Sequence, residues 1–301
     1  MQTAALLEPG SLRTRTVWLA IYSGASALLF FSPLLELFRL SLSSDTYSHI
    51  LVVPFISIFL MYMERESVFL KAAGSGKLAA CFVSIGILLY AFSRQFAGII
   101  HADDSLALAI LSFLFLVWGG FSWVFGSGAF RAGLFPLLFL LLVVPLPVSA
   151  TDLVIVWLQW GSADVTSWIF HVTGTPVIRD GLFFTLPSVT IEIAKECSGI
   201  RSATALIVTC LAAGYLLLRR PWARGILLLA AVPVLILKNG IRIATLTLLA
   251  IHVDPGFLDG SLHHQGGVLF FAAGLAMLLP VLWWLQKMER NHLDPRSRAQ
   301  A

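Results

Sequence analysis

Ile200-Arg-Ser-Ala-Thr-Ala-Leu-Ile-Val-Thr-Cys-Leu-Ala-Ala-Gly-Tyr-Leu-Leu-Leu218 is followed by Arg219-Arg-Pro-Trp-Ala-Arg224 and then by Gly225-Ile-Leu-Leu-Leu-Ala-Ala-Val-Pro-Val-Leu-Ile-Leu237. An apolar run, a short basic turn and a second apolar run follow one another. A helix needs about 20 mostly apolar residues to cross a bilayer. In hydrocarbon every backbone N–H and C=O must be bonded internally, so such runs are helices. Arginines packed into a short turn between two spans mark the cytoplasmic side.

The same pattern recurs outward from this pair. Eight candidate spans are read at about 16–35, 48–63, 78–93, 105–125, 133–150, 200–218, 225–251 and 266–285. Hydrophobic residues make up 58% of the chain and charged residues 12%. A soluble domain carries roughly 25% charged residues, so this chain lacks the charge to cover a water-facing surface. Alternation from a cytoplasmic N-terminus puts Arg13, Arg15, Arg65, Lys71, Lys77, Arg131, Arg219, Arg220, Arg224, Lys287, Arg290, Arg296 and Arg298 inside. That is most of the basic residues, so both termini are expected in the cytoplasm. The first residues show no cleavage pattern, and the first run is expected to remain as an anchor. A net charge of +4 gives no reason to expect a nucleic-acid partner; the lipid bilayer is the expected one.

Residues 151–199 break the pattern. Thr151 to Val172 carries Asp152, Gln159, Asp164 and His171 among apolar residues. It reads as an interfacial amphipathic helix with Trp157, Trp160 and Trp168 at headgroup depth. Asp180-Gly181 between two apolar runs predicts a hairpin turn, and Val189, Ile191 and Ile193 alternate after it. The fold class is therefore an all-α polytopic membrane protein of about eight transmembrane helices. It carries an interfacial helix and a small β-hairpin on the extracytoplasmic side.

Ionisable residues near membrane depth are functional candidates. Cys197, in Glu196-Cys-Ser198-Gly-Ile-Arg201, stands where the sixth span begins. A thiol at a helix N-terminus meets the positive end of the dipole, which favours the nucleophilic thiolate. Arg201, four residues on, is expected on the same face. Cys210 lies thirteen residues along the span, about 20 Å at 1.5 Å per residue. A disulfide needs Cα atoms within about 7 Å, so the two do not pair. Arg242, in Lys238-Asn239-Gly-Ile-Arg-Ile243, falls about 13 Å below the outer end of the seventh span, where it must pair or line a wet cavity. Asn239 shares its face. Lys238 is expected to snorkel or pair. His263 and His264 open the eighth span, with His263, Gly267 and Phe271 on one stripe. Gly267 is expected to leave room there for a neighbouring helix, or for the thiolate end of the sixth span, to come close. Tyr47-Ser48-His49 marks the outer end of the second span, and Glu192 and Glu196 are read as solvated carboxylates able to orient partners. No His-Glu-x-x-His or Gly-x-Ser-x-Gly motif is present, and the His and Cys residues are not at metal-ligand spacing. Neither a metal nor another cofactor is expected. Nucleophile, proton-transfer group and oxyanion donor are together the parts of an acyl-transfer site.

At these residues the sequence resembles the exosortase/archaeosortase family. The resemblance runs through Tyr47-Ser-His49, Gly174-Thr-Pro-Val-Ile-Arg179, Glu196-Cys-Ser-Gly-Ile-Arg201, Asn239-Gly-Ile-Arg-Ile243 and His263-His-Gln-Gly-Gly267 with Phe271. It implies a multipass enzyme of the inner membrane of Gram-negative bacteria. Such an enzyme cuts a C-terminal sorting signal of the PEP-CTERM kind: a short motif, an apolar helix and a basic tail. The acyl-enzyme so formed is resolved either by an amine or glycan-linked acceptor, giving transfer, or by water, giving hydrolysis. Family members are often encoded with exopolysaccharide machinery. The implied nucleophile is Cys197, the implied arginine Arg242 and the implied histidine His263, with His264 doubled beside it. Asn239, Arg201, Glu196 and Ser198 are expected in support. The implied organisation is a cytoplasmic segment at 1–15, a transmembrane catalytic domain at 16–285 with an outer insert at about 151–199, and a cytoplasmic tail at 286–301. The site is expected to face the periplasm. The competing reading is a non-enzymatic transporter or an exopolysaccharide-export component. Transporters, however, place charged groups near the midplane between inverted repeats. Here the charged groups lie toward one side and no repeat is visible.

Overall fold

The computed structural model describes residues 9–69, 74–257 and 267–293. Helices are α1 Pro9–Leu29, α2 Phe31–Ser43, α3 Val53–Met63, α4 Arg65–Phe69, α5 Gly76–Gln95, α6 Ala102–Ala132, α7 Leu134–Phe139, α8 Val148–Val172, α9 Ile200–Leu217, α10 Pro221–His252 and α11 Gly267–Leu293. Among the described residues, six helical stretches are long and apolar enough to cross a membrane. The number reaches eight when each of two bent pairs counts as one span. Apolar side chains such as Leu28, Phe55, Leu153 and Leu229 point outward, as lipid-facing residues do.

The expected spans at 16–35 and 133–150 are not single helices. The first breaks at Phe30, and α1 and α2 meet at 81°. Pro33 lies in the first turn of α2 and has no N–H to give the Leu29 carbonyl, and its ring clashes there, so α1 ends at that residue. The second breaks at Pro145 and Pro147, and α8 starts earlier than expected, at Val148. α11 runs on to Leu293, past the expected end.

The chain forms two compact units, residues 1–150 and 151–301. The first is built on α6, against which α1 and α5 pack. Its core is aromatic: Trp118, Phe121, Phe125 and Phe130 of α6 cluster with Phe82 and Phe69. Ser112 Oγ donates to the Gly86 carbonyl at 2.6 Å, fastening α6 to α5.

The second unit joins α8–α11 to a small sheet. Ile155 and Leu158 of α8, Leu206 and Cys210 of α9, Ala231 and Leu235 of α10, and Leu278 of α11 form its core. α8 and α10 cross where side chains are small. A Cβ on Gly240 would overlap Val165, and one on Gly161 would lie 3.0 Å from Ile236. That closeness lets Thr166 Oγ1 reach the Gly240 carbonyl at 3.3 Å. At the far end of α9, the buried Glu289 carboxylate of α11 accepts the backbone N–H groups of Arg219 and Arg220.

The expected hairpin is present, with Gly181 in its turn at φ 61°. It is extended to three antiparallel strands: β1 Ile178–Asp180, β2 Phe183–Thr185 and β3 Thr190–Glu192, in the order β1-β2-β3. The alternation of Val189, Ile191 and Ile193 thus belongs to the third strand and its flanks. Phe184 faces inward onto Phe170 of α8 at 6.0 Å between ring centroids. Arg179 ties the sheet to α8. It pairs with Asp164 at 2.8 Å, donates to the Gly181 carbonyl and lies over the Trp160 ring.

Candidate active site

Cys197 is not on α9. It lies in the 3-10 turn Lys195–Ser198, and Gly199 separates it from the helix with φ 77°. This overturns the expected one-turn relation between Cys197 and Arg201, because the helical phase does not run through a left-handed residue. Arg201 is on α9 and exposed. The turn is still held tightly. Cys197 N–H bonds the Ala194 carbonyl at 3.0 Å. Ser198 is 1% exposed, and its Oγ accepts from Ile200 N–H at 3.4 Å.

α10 fastens this turn with two adjacent residues. Asn239 is 1% exposed. Its Nδ2 donates to the Cys197 carbonyl and to Ser162 Oγ on α8, each at 2.9 Å. Gly199 is needed twice over: for its positive φ, which a Cβ disfavours, and for room. A Cβ there would stand 2.7 Å from Asn239 Oδ1. Lys238 is also buried, and its Nζ donates to Ser202 Oγ on α9. Ser202 Oγ in turn donates to the Gly199 carbonyl at 2.9 Å. Lys238 thus pairs inward rather than snorkelling. The close approach expected at Gly267 occurs instead at Gly274 of α11, where a Cβ would lie 3.3 Å from Lys238 Cδ. Among the described residues nothing lies within 4 Å of a Cβ on Gly267.

Cys197 and Arg242 line one cavity of about 190 Å³, with Ile191, Glu192, Ile193, Ile243, Leu246 and Thr247. The walls come from β3, the Cys197 turn and one face of α10. Both named side chains are half-buried. Donors inside a largely apolar cavity act on developing charge far more strongly than they do in water. Glu192, read as a solvated carboxylate, is exposed and also borders this lining. The core beneath it is Ile193, Phe184, Ala163 and Ala244, with Cys197 packed against it.

Sequence reasoning missed Ser162, Ser202 and Gln159. Gln159 Nε2 donates to the Ile193 carbonyl at 2.7 Å and sets β3 against α8. Buried polar residues on helix faces were the available signal, since such groups are almost always bonded. The expected His263 and His264 lie outside the described residues. Phe271 packs on the core of α9 and α10, while Val268 points outward. Glu196 lies in the same 3-10 turn as Cys197. Tyr47, Ser48 and His49 belong to the first unit, where His49 Nδ1 lies 3.2 Å from the Thr46 carbonyl. Cys210 is buried and Cys81 exposed. Among the described residues, no group of three or more His, Cys, Asp or Glu is placed to hold a metal ion.

Comparison with curated proteins and with solved structures gives no match. Comparison with protein families does: the model described as transmembrane exosortase (Exosortase_EpsH) matches residues 41–280, most of the chain. This multi-pass membrane protein belongs to the transmembrane exosortase family.

Proposed function

We propose that this exosortase is a membrane cysteine peptidase and transpeptidase that acts on a C-terminal sorting signal of exported proteins. The observation that carries the reading is the cavity shared by Cys197 and Arg242, with the thiol on a turn whose carbonyl Asn239 holds. The Cys197 thiolate attacks the scissile carbonyl carbon. Arg242 donates to the oxyanion that forms, or orients the substrate chain. The tetrahedral intermediate collapses, the C–N bond breaks, and the amine leaves with a proton from the His263 imidazolium. A thioester remains. His263 then takes a proton from an incoming amine, glycan-linked acceptor or water, which attacks the same carbon and releases the thiolate. Ser198 and Asn239 keep the nucleophile in place; Arg201, Glu196 and His264 are the remaining supporting candidates.

The same reading puts the protein in the inner membrane with both termini cytoplasmic and the site facing the periplasm. The basic residues Arg219, Arg220 and Arg224 in the α9–α10 turn support that orientation. An impermeant thiol reagent applied to intact cells should miss cysteines placed at 219–224 and reach those at 174–190; the reverse pattern would sink the orientation.

The decisive experiment is coexpression with a candidate substrate bearing such a signal, read by intact mass of the new C-terminus. Cys197→Ala should abolish processing while the protein accumulates in the membrane, and Cys81→Ala and Cys210→Ala should keep it. A free carboxylate on the product means hydrolysis, and an added acceptor mass means transfer. Unchanged processing by the Cys197→Ala protein would end the thiol mechanism.

A further inference from the structure

The hydrogen-bond register leaves one side of β3 unused. Leu186 N–H bonds the Val189 carbonyl, and Ile193 N–H bonds the Leu182 carbonyl. In an antiparallel pair bonded and non-bonded residue pairs alternate, and β2 and β3 pair Phe184 with Ile191 and Phe183 with Glu192. The main-chain groups of Ile191 therefore turn toward β2, and those of Thr190 and Glu192 turn away from it. β3 is also the outer strand of the order β1-β2-β3. Among the described residues, nothing else bonds the Thr190 or Glu192 main chain. This edge borders the reactive cavity, since Ile191, Glu192 and Ile193 share its lining with Cys197 and Arg242.

The geometry points to the outer edge of β3 as the docking site of the acyl donor: an extended peptide segment that adds to the sheet as a fourth strand, carrying its scissile carbonyl into the Cys197–Arg242 cavity. This rests on the thiol mechanism proposed above and names how the substrate is held. The occupant is fixed by what the edge offers. Two N–H donors and two C=O acceptors, repeating every second residue, match an extended peptide backbone. Glu192, on this edge, also lines the cavity that holds the nucleophile, so the strand that pairs there is the one placed to be cut. β3 is three residues long, so main-chain recognition extends over only a short motif. The apolar walls at Ile243 and Leu246 take one apolar side chain beside the bond that breaks.

The test uses the full chain in detergent carrying Cys81→Ala and Cys210→Ala. The probe is acetyl-Ala-Val-Ala chloromethyl ketone, in which thiolate displaces chloride, and three analogues each N-methylated at one residue. The rate of mass gain at Cys197 is read. Strand pairing predicts alternation: methylation at a residue facing β3 slows labelling about tenfold or more, and methylation at its neighbour leaves it within about twofold. Thr190→Pro removes an edge donor that the sheet does not use. It should slow the peptide probe while leaving iodoacetamide labelling of Cys197 unchanged. Equal rates for all three methylated analogues would overturn the proposal. So would a Thr190→Pro protein that changes from dimer to monomer with peptide rates unaltered, which would make the edge a contact between copies. Either result leaves the thiol mechanism standing; that reading fails separately, if Cys197→Ala still processes substrate.

Discussion

Replacing Gly199 by alanine tests the clamp on the nucleophile directly. Gly199 has φ 77°, and a residue with a Cβ loses roughly 1–2 kcal/mol in that conformation. The new methyl would also stand 2.7 Å from Asn239 Oδ1 and 2.9 Å from its Cγ. The carboxamide cannot step aside freely, because Nδ2 holds both Ser162 Oγ and the Cys197 carbonyl at 2.9 Å. Each bond contributes about 0.5–1.5 kcal/mol net, and a buried acceptor left bare costs about 1–3 kcal/mol. Gly199→Ala should therefore destabilise the protein by about 3–5 kcal/mol. A shift of the thiol by about 1 Å should slow the chemistry about 10²-fold. Asn239→Ala alone should cost about 2–4 kcal/mol, by stranding the same carbonyl. In the double variant the obstacle is gone, so Gly199→Ala adds only its backbone cost. The two should be non-additive by about 1–3 kcal/mol, as expected of groups in contact. SDS-titrated unfolding in mixed micelles measures the stabilities, and substrate processing measures the rate. Additive costs, or a Gly199→Ala protein that processes like wild type, would refute the clamp.

Arg242→Lys keeps the charge but loses the planar fork of donors; processing should fall by about 10²–10³-fold if Arg242 bonds the oxyanion, and an unimpaired enzyme would show that charge alone suffices. Lys238→Met removes the donor to Ser202 while keeping the volume packed against Gly274. Processing should drop about two- to tenfold, the worth of one hydrogen bond holding the Gly199 turn. SDS stability should hold or rise, because a buried ammonium is no longer desolvated, and Ser202→Ala should match the activity loss. Glu289→Ala leaves the Arg219 and Arg220 N–H groups without their acceptor. It should lower stability by about 2–4 kcal/mol and leave activity per folded molecule unchanged, whereas Glu289→Gln, which keeps one acceptor oxygen, should lose less.

Much of this protein is legible along the chain, because a membrane makes local rules strict. Backbone groups in hydrocarbon must bond within their own segment, so runs such as 200–218 and 225–251 declare helices without reference to any neighbour. The Asp180-Gly181 turn is equally local, as is the placing of Cys197 at the foot of the sixth span. Breaks were harder. Pro33 ends α1 through a clash with a residue four back, and hydropathy alone reads straight through it. Which helix faces meet is not a local matter. Lys238, Asn239 and Arg242 are near neighbours in sequence, yet Lys238 reaches Ser202 on α9, Asn239 reaches Ser162 on α8, and Arg242 lines the cavity with Cys197. The reach of Asn239 to Ser162 follows from the α8–α10 crossing, which is possible because Gly161 and Gly240 carry no side chain to hold the helices apart. Local chemistry along the chain sets the helices and the residue types they offer. The packing decided which acceptor each buried donor satisfies, because an amide or ammonium removed from water must bond whatever polar group its neighbours bring within reach.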